Sequence, residues 1–321
     1  MESVPPHGCS WSRWLDLLVE AHGSWAALVD ALIRRAGSQV DLPEDPGSIE
    51  KGIRRLRTRG NAPGGQYGRW LLRFFRAPES LAATARWMGQ YHSRFSDLPL
   101  SLRRSQLLLW DRPPVIESSL AAWIHLGIAS VELAAGNGEA ADERRRLAAN
   151  RASDPEVHLE AALLDARLAR DRNDPEGSTQ ALERAARLLE EVDADDYRAR
   201  LLDQQAYGVI RDAQDLSRAR DLYAAIPETT AFSAFRRAHG LAYCDWKLAR
   251  SGAAEQARLA ARHAGDAGLL SFRAMALELL AHILGEGAEA EEAEAEEARA
   301  RAVAIRALRT ATPEEQEQPE S

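Results

Sequence analysis

Basic side chains with no carboxylate beside them are the clearest chemical signal in this chain. From Lys51 to Pro78 there are eight Lys and Arg residues and no Asp or Glu. Lys51, Arg54, Arg55, Arg57, Arg59 and Arg69 belong to that run. Such groups neutralise phosphates, the part of nucleic-acid binding that is independent of base sequence. Gln66 and Tyr67 add hydrogen-bonding groups. Against this stand Glu50 on the same segment and Asp41, Glu44 and Asp45 just before it. The solvated face of an amphipathic helix has the same composition. A second group, Arg144, Arg145 and Arg151 with Arg146 between them, suits the carboxylate of an acidic peptide. Asp142 and Glu143 lie next to it, and pairing among neighbours is the plainer reading.

Other chemistry finds little support. The eight histidines are scattered singly, and Tyr91-His92 and Ala238-His239 have no second ligand at metal spacing. Cys9 and Cys244 are too far apart in sequence to suggest a metal motif or a disulfide framework, so a reducing cytoplasm is expected. Cys244, between Tyr243 and Trp246, reads as a small buried hydrophobe. No Gly-x-Ser-x-Gly elbow occurs, and the Gly-rich stretch Asn61 to Gly68 lacks the Gly-Lys-Ser/Thr ending of a phosphate loop. The expectation is a protein with no catalytic site, metal or cofactor. No apolar run is long enough to span a bilayer, and the first residues lack the pattern of a signal peptide. No membrane contact is expected.

The elements that position these residues are helices. Ala, Arg, Leu and Glu dominate 321 residues, and β-branched residues are few, so the expected class is all-α. Helices are expected over Trp11 to Ala21, Trp25 to Ala36 with Ser24 as cap, and Ile49 to Arg59 with Ser48 as cap. On the last, Ile49, Ile53 and Leu56 fall on one side and Lys51, Arg54 and Arg55 on the other. Three short helices, the last basic on its outer face, make a helix-turn-helix candidate whose partner is double-stranded DNA. Any strand is confined to a short wing near Gly64 to Gly68. Trp11, Trp14, Trp25, Trp70, Trp87 and Trp110 sit at helical spacing and are expected in the core rather than against bases.

Charge divides the chain. Residues 1–112 carry 16 Lys/Arg against 11 Asp/Glu, while residues 113–321 carry 25 against 38. With Pro113-Pro114 as a break, the expected organisation is a basic, Trp-rich module over 1–112, helical repeats over 113–285, and an acidic segment with a polar tail over 286–321. Glu286 to Glu297 reads as a solvated helical end, or as a mimic of phosphate that covers the basic module.

Helix pairs recur after Val115. Trp123, Leu126 and Gly127 stand at spacing 0, 3, 4, with Ala140 and Ala148 on the next helix. Ala206-Tyr207-Gly208 with Ala219 and Tyr223, and Ala238-His239-Gly240 with Tyr243, Ala257, Ala261 and Ala264, look like further units. Gly208 and Gly240 are expected where paired helices touch. This stretch, about half the chain, resembles a divergent tetratricopeptide array, with Ser130 in place of the usual aromatic and no glycine in the 156–192 pair. The resemblance implies an α-solenoid whose concave groove takes a peptide or protein partner. The layout of both modules is similar to bacterial regulators that join a DNA-binding module to a repeat-built sensor. A scaffold or adaptor that binds only proteins is the alternative.

Overall fold

The structure is a computed structural model that describes residues 8–43, 45–59, 65–94, 97–192, 194–285 and 292–310. Among these residues the fold is all-α, with sixteen α-helices and no strand. None of the helices is long and apolar enough to cross a membrane. The chain forms two compact units, Met1–Arg94 with Leu100–Val157, and Phe95–Pro99 with His158–Ser321. Pro113-Pro114 lies inside the first.

The first unit holds α1 (Trp11–His22), α2 (Trp25–Ala36), α3 (Pro46–Arg59), α4 (Gln66–Phe74), α5 (Glu79–Arg94), α6 (Leu100–Trp110), α7 (Ala121–Ala134) and α8 (Gly138–Arg151). Local chemistry sets most ends. Gly23, at φ 86°, closes α1 in a left-handed conformation that costs glycine little. The Ser24 hydroxyl then accepts the Ala27 N–H at 3.1 Å to open α2. The α3 cap is Asp45, not the expected Ser48. Its carboxylate accepts the N–H groups of Gly47 and Ser48 at 3.1 and 2.9 Å and the Ser48 hydroxyl at 2.8 Å. Pro46, with fixed φ and no N–H to leave unsatisfied, suits the first helical position and moves the start upstream. The segment from Gln66 is helical, so the described part of the expected wing is not a strand.

Ile49, Ile53 and Leu56 bury α3 as expected, in a core shared with Trp14, Leu15, Leu28 and Leu32. Burying each such side chain contributes about 1.5–3 kcal/mol. Trp11, Trp70 and Trp110 are also buried, and Trp25 is half-buried. Trp87 departs from expectation: it stands 54% exposed, stacked on Tyr91 one turn along α5 with ring centroids 5.1 Å apart. At the centre runs α7, buried on every side from Ala121 to Leu133. A Cβ on Gly127 would stand 2.7 Å from Leu107, and one on Gly89 would stand 2.7 Å from the Trp123 carbonyl oxygen. Gly89 is therefore required where α5 crosses α7, while at Gly127 the end of the Leu107 side chain occupies the space a Cβ would take.

The second unit holds the body of α9 (Pro155–Asp171), then α10 (Pro175–Leu189), α11 (Asp195–Gly208), α12 (Leu216–Ala224), α13 (Ala231–Lys247), α14 (Ala253–Asp266), α15 (Leu270–Gly285) and α16 (Glu292–Thr310). From α10 onward each helix packs on the next, while α11 also touches α13 and α13 touches α15, an arrangement consistent with a helical repeat. Small side chains let the axes approach. Ala242, Ala257, Ala274, Ala281, Ala295 and Ala302 are all buried in one cluster spanning α13 to α16. Asp97 caps α15 from far upstream, accepting the N–H groups of Leu270 and Ser271 at 3.1 and 2.8 Å. The Glu run is in part a docked helix. Ala295 and Ala298 face inward, and Glu294 makes two hydrogen bonds of 2.7 Å to Arg258. Residues 286–291 lie outside the described residues.

The two glycine triplets separate. A Cβ at Gly240 would fall 2.1 Å from the Tyr223 ring of α12, whereas one at Gly208 would meet nothing within 4 Å. Gly240 marks a helix seam and Gly208 does not, because Ala206 supplies that buried contact. Gly240→Ala should therefore cost about 1–3 kcal/mol by overpacking. Gly208→Ala should gain about 0.5–1 kcal/mol from helix propensity alone. Urea unfolding midpoints that move in the same direction for both changes would refute this distinction.

Candidate binding surfaces

The outer face of α3 keeps only part of the charge that its sequence offers. Arg54 pairs with Glu50 at 2.7 Å and lies over the Trp25 ring, 4.6 Å from its centroid. Arg57 grips Asp16 of α1 through two hydrogen bonds of 2.8 and 3.3 Å, which raise its pKa. Arg69, exposed on α4, already takes part in an interaction. Lys51, Arg55 and Arg59 are exposed, with no hydrogen bond or ion pair among the described residues. At four-residue spacing these three line one sector of the helix. The connection from α2 to α3 spans residues 37–45, longer than the turn of three or four residues in a helix-turn-helix.

The arginines of α8 are engaged inside the first unit. Arg144 bonds the Asp111 carboxylate at 2.8 Å and lies 3.1 Å from His125 Nδ1. Arg145 and Arg146 share Asp142 at 2.8 and 2.6 Å. Arg151 donates to the Ile116 carbonyl. The Arg144 and Arg151 contacts tie α8 to the segment that precedes α7.

Histidine and cysteine occupy core positions. His92 and His125 are nearly inaccessible, at 1% and 4%. Burial, with the Arg103 charge beside it, holds His92 down to about 4. Burial also holds His125 down to about 4, with Asp111 opposing and Arg144 and Arg151 reinforcing. Burial pushes the Cys244 thiol up to about 11 and the Cys9 thiol up to about 12. Burial thus favours the protonated form of both thiols at neutral pH. No group of three His, Cys, Asp or Glu among the described residues is placed to hold a metal ion.

A third surface, on α9, α11 and α13, escaped the sequence reading. Glu160 of α9 and Arg200 of α11 form a buried bidentate pair, one contact being 2.8 Å. Burial pulls the Arg200 pKa down, and the charge and hydrogen bonds of Glu160 more than reverse it. Arg236 of α13 reaches Asp203 of α11 at 3.4 Å and lies over the Phe272 ring, 4.5 Å from its centroid. Arg170 hydrogen-bonds Gln204 at 2.9 Å and lies 5.4 Å from the centre of the Tyr207 ring. Its Nη1 is buried without a partner, while Tyr207 is 52% exposed. Beyond Gly208 the helix continues as a π-turn, Val209–Ala213, of the kind found at functional sites. It carries Arg211, which donates to the Arg170 carbonyl at 3.1 Å and to Asn173 Oδ1 at 2.6 Å. Arg167 has no hydrogen bond or ion pair among the described residues. The signal in the sequence was Arg167 and Arg170 at helical i, i+3 spacing, which only the partners on α11 make distinctive.

The buried imidazoles generate a pH prediction. His92 and His125 stay neutral in the folded chain down to about pH 4, while an ordinary histidine takes its proton near 6.5. The unfolded chain then binds more protons between those values, so stability falls as pH drops through that window. The loss should be on the order of 1–2 kcal/mol per histidine at pH 5, and His92→Leu should remove its share. Melting curves of wild type and variant with equal dependence on pH between 7 and 5 would contradict this. No protein-family model, curated protein or solved structure matches the chain, so the chemistry of these surfaces is read from their residues alone.

Proposed function

We propose that the protein is a non-catalytic regulator or adaptor that holds a protein or peptide partner on its helical array. The groove implied by the tetratricopeptide resemblance would be its binding surface. The observation that carries this reading is the α9–α11–α13 face, where Arg167, Arg170 and Arg211 form no ion pair with a carboxylate among the described residues, beside the exposed ring of Tyr207. Tyr and Arg dominate the energetic centres of interfaces, and unanswered cations favour an acidic partner. The test is peptide selection from a displayed random library on the full chain. Enriched peptides should be acidic, and Tyr207→Ala should weaken them by about 2 kcal/mol. Failure to enrich any peptide, or binding that ignores Tyr207, would count against the array as the receptor.

A second reading keeps double-stranded DNA as a partner of the first unit. It rests on Lys51, Arg55 and Arg59, exposed along α3 and without an ion pair among the described residues. Arg54 and Arg57 are already neutralised, so phosphate contacts should number about three from this helix rather than five. Changing Lys51, Arg55 and Arg59 to Ala should flatten the salt dependence of duplex binding by about 2.7 in log–log slope. Equal slopes for wild type and triple variant would leave the adaptor reading alone.

A further inference from the structure

The charge balance of the α9–α11 face says what kind of acidic group it takes. Arg200 is answered by Glu160, and Arg236 by Asp203. Asp165, on the same helix as Arg167, is taken by Arg184 at 2.7 Å. Arg170 meets an amide and a phenol ring, and Arg211 meets an amide oxygen and a backbone carbonyl. Three guanidinium groups, those of Arg167, Arg170 and Arg211, form no ion pair with a carboxylate among the described residues, while Asp171 and, beside Arg211 on the π-turn, Asp212 are the further acidic residues of these segments. The site keeps more cations than carboxylates left to pair them. A carboxylate would answer one of them. A phosphate monoester carries about −1.5 to −2 at neutral pH and offers three acceptor oxygens, which matches both the charge and the multiple donors.

From this geometry we infer that Arg167 and Arg170, with Arg211 at the rim, form a site for a phosphate monoester on a partner peptide, a phosphorylated serine, threonine or tyrosine. Burial and the like charges of Arg200 and Arg170 draw the Arg167 pKa down to about 10. Unlike the donors of Arg200, the buried Nη1 of Arg170 has no acceptor among the described residues. Exposed Tyr207 beside it offers a platform for the residues that flank the phosphorylated one. The inference rests on the peptide-binding reading above and narrows it to a modified partner.

The test uses the full chain and three matched fluorescent peptide mixtures, identical except for phosphoserine, glutamate or serine at the central position. The phosphoserine mixture should bind at least about tenfold more tightly than either other mixture, and Arg167→Leu should erase that preference. Arg187→Ala, an exposed cation of α10, should leave it intact. Folding is guarded by removing, not adding, an unpaired charge: Arg167→Leu should melt no lower than wild type in chloride. Inorganic phosphate at matched ionic strength should raise the melting temperature of wild type but not of Arg167→Leu. Equal binding of all three mixtures, or a phosphoserine preference that survives Arg167→Leu, would overturn the site while leaving peptide binding in place. Phosphate protection that depends on Arg167 without binding of any peptide would overturn the peptide ligand and the adaptor reading together.

Discussion

Close approach of helix backbones is the constraint on which this structure depends. Gly89 lets α5 cross α7, Gly127 leaves room for the Leu107 side chain, Gly240 admits the Tyr223 ring, and buried alanines close the seams from α13 to α16. A chain this rich in alanine gains little burial per residue, so it needs many short contacts rather than a few large ones. The same tight packing restricts where long charged side chains can go. Arginine stems must run along helix surfaces to a carboxylate or to the solvent edge, and their destinations decide what the protein can bind.

Many arginines reach a carboxylate. Arg57 finds Asp16, Arg144 finds Asp111, Arg220 finds Asp245 and Arg258 finds Glu294. The exposed pairs contribute little to stability, about 0–1 kcal/mol each, but they remove charge from the surfaces that carry them. Pairing thins the α3 face to Lys51, Arg55 and Arg59. It leaves the α9–α11 face with more cations than anions, because Glu160 and Asp203 are already held by Arg200 and Arg236. Breaking the buried Glu160–Arg200 pair would strand a charge away from water.

Local chemistry was legible in the sequence, and tertiary pairing was not. Ser24 and the Ile49, Ile53, Leu56 stripe act where their spacing placed them, because caps and amphipathic faces depend on neighbours within a turn or two. Asp45 displaced Ser48 as a cap because Pro46, between them, fits the first turn. Gly208 and Gly240 share a triplet but not an environment, since the Tyr223 ring that needs Gly240 comes from another helix. Asp16 lies 41 residues from Arg57, and no periodicity connects them. The α9–α11 face was hidden for the same reason: Arg167 and Arg170 look like any solvated pair until Gln204, Tyr207 and Arg200 are brought alongside.

The central claim is that unanswered guanidinium groups on α9, beside Tyr207, form the binding surface. Side-chain Nε–Hε resonances of arginine report it directly. On titration of the labelled full chain with phenyl phosphate, the resonances of Arg167 and Arg170 should shift saturably, while those of Arg54 and Arg57, paired on α3, should stay in place. Shifts that appear first at Arg55 and Arg59 on α3, with Arg167 and Arg170 unmoved, would contradict the account.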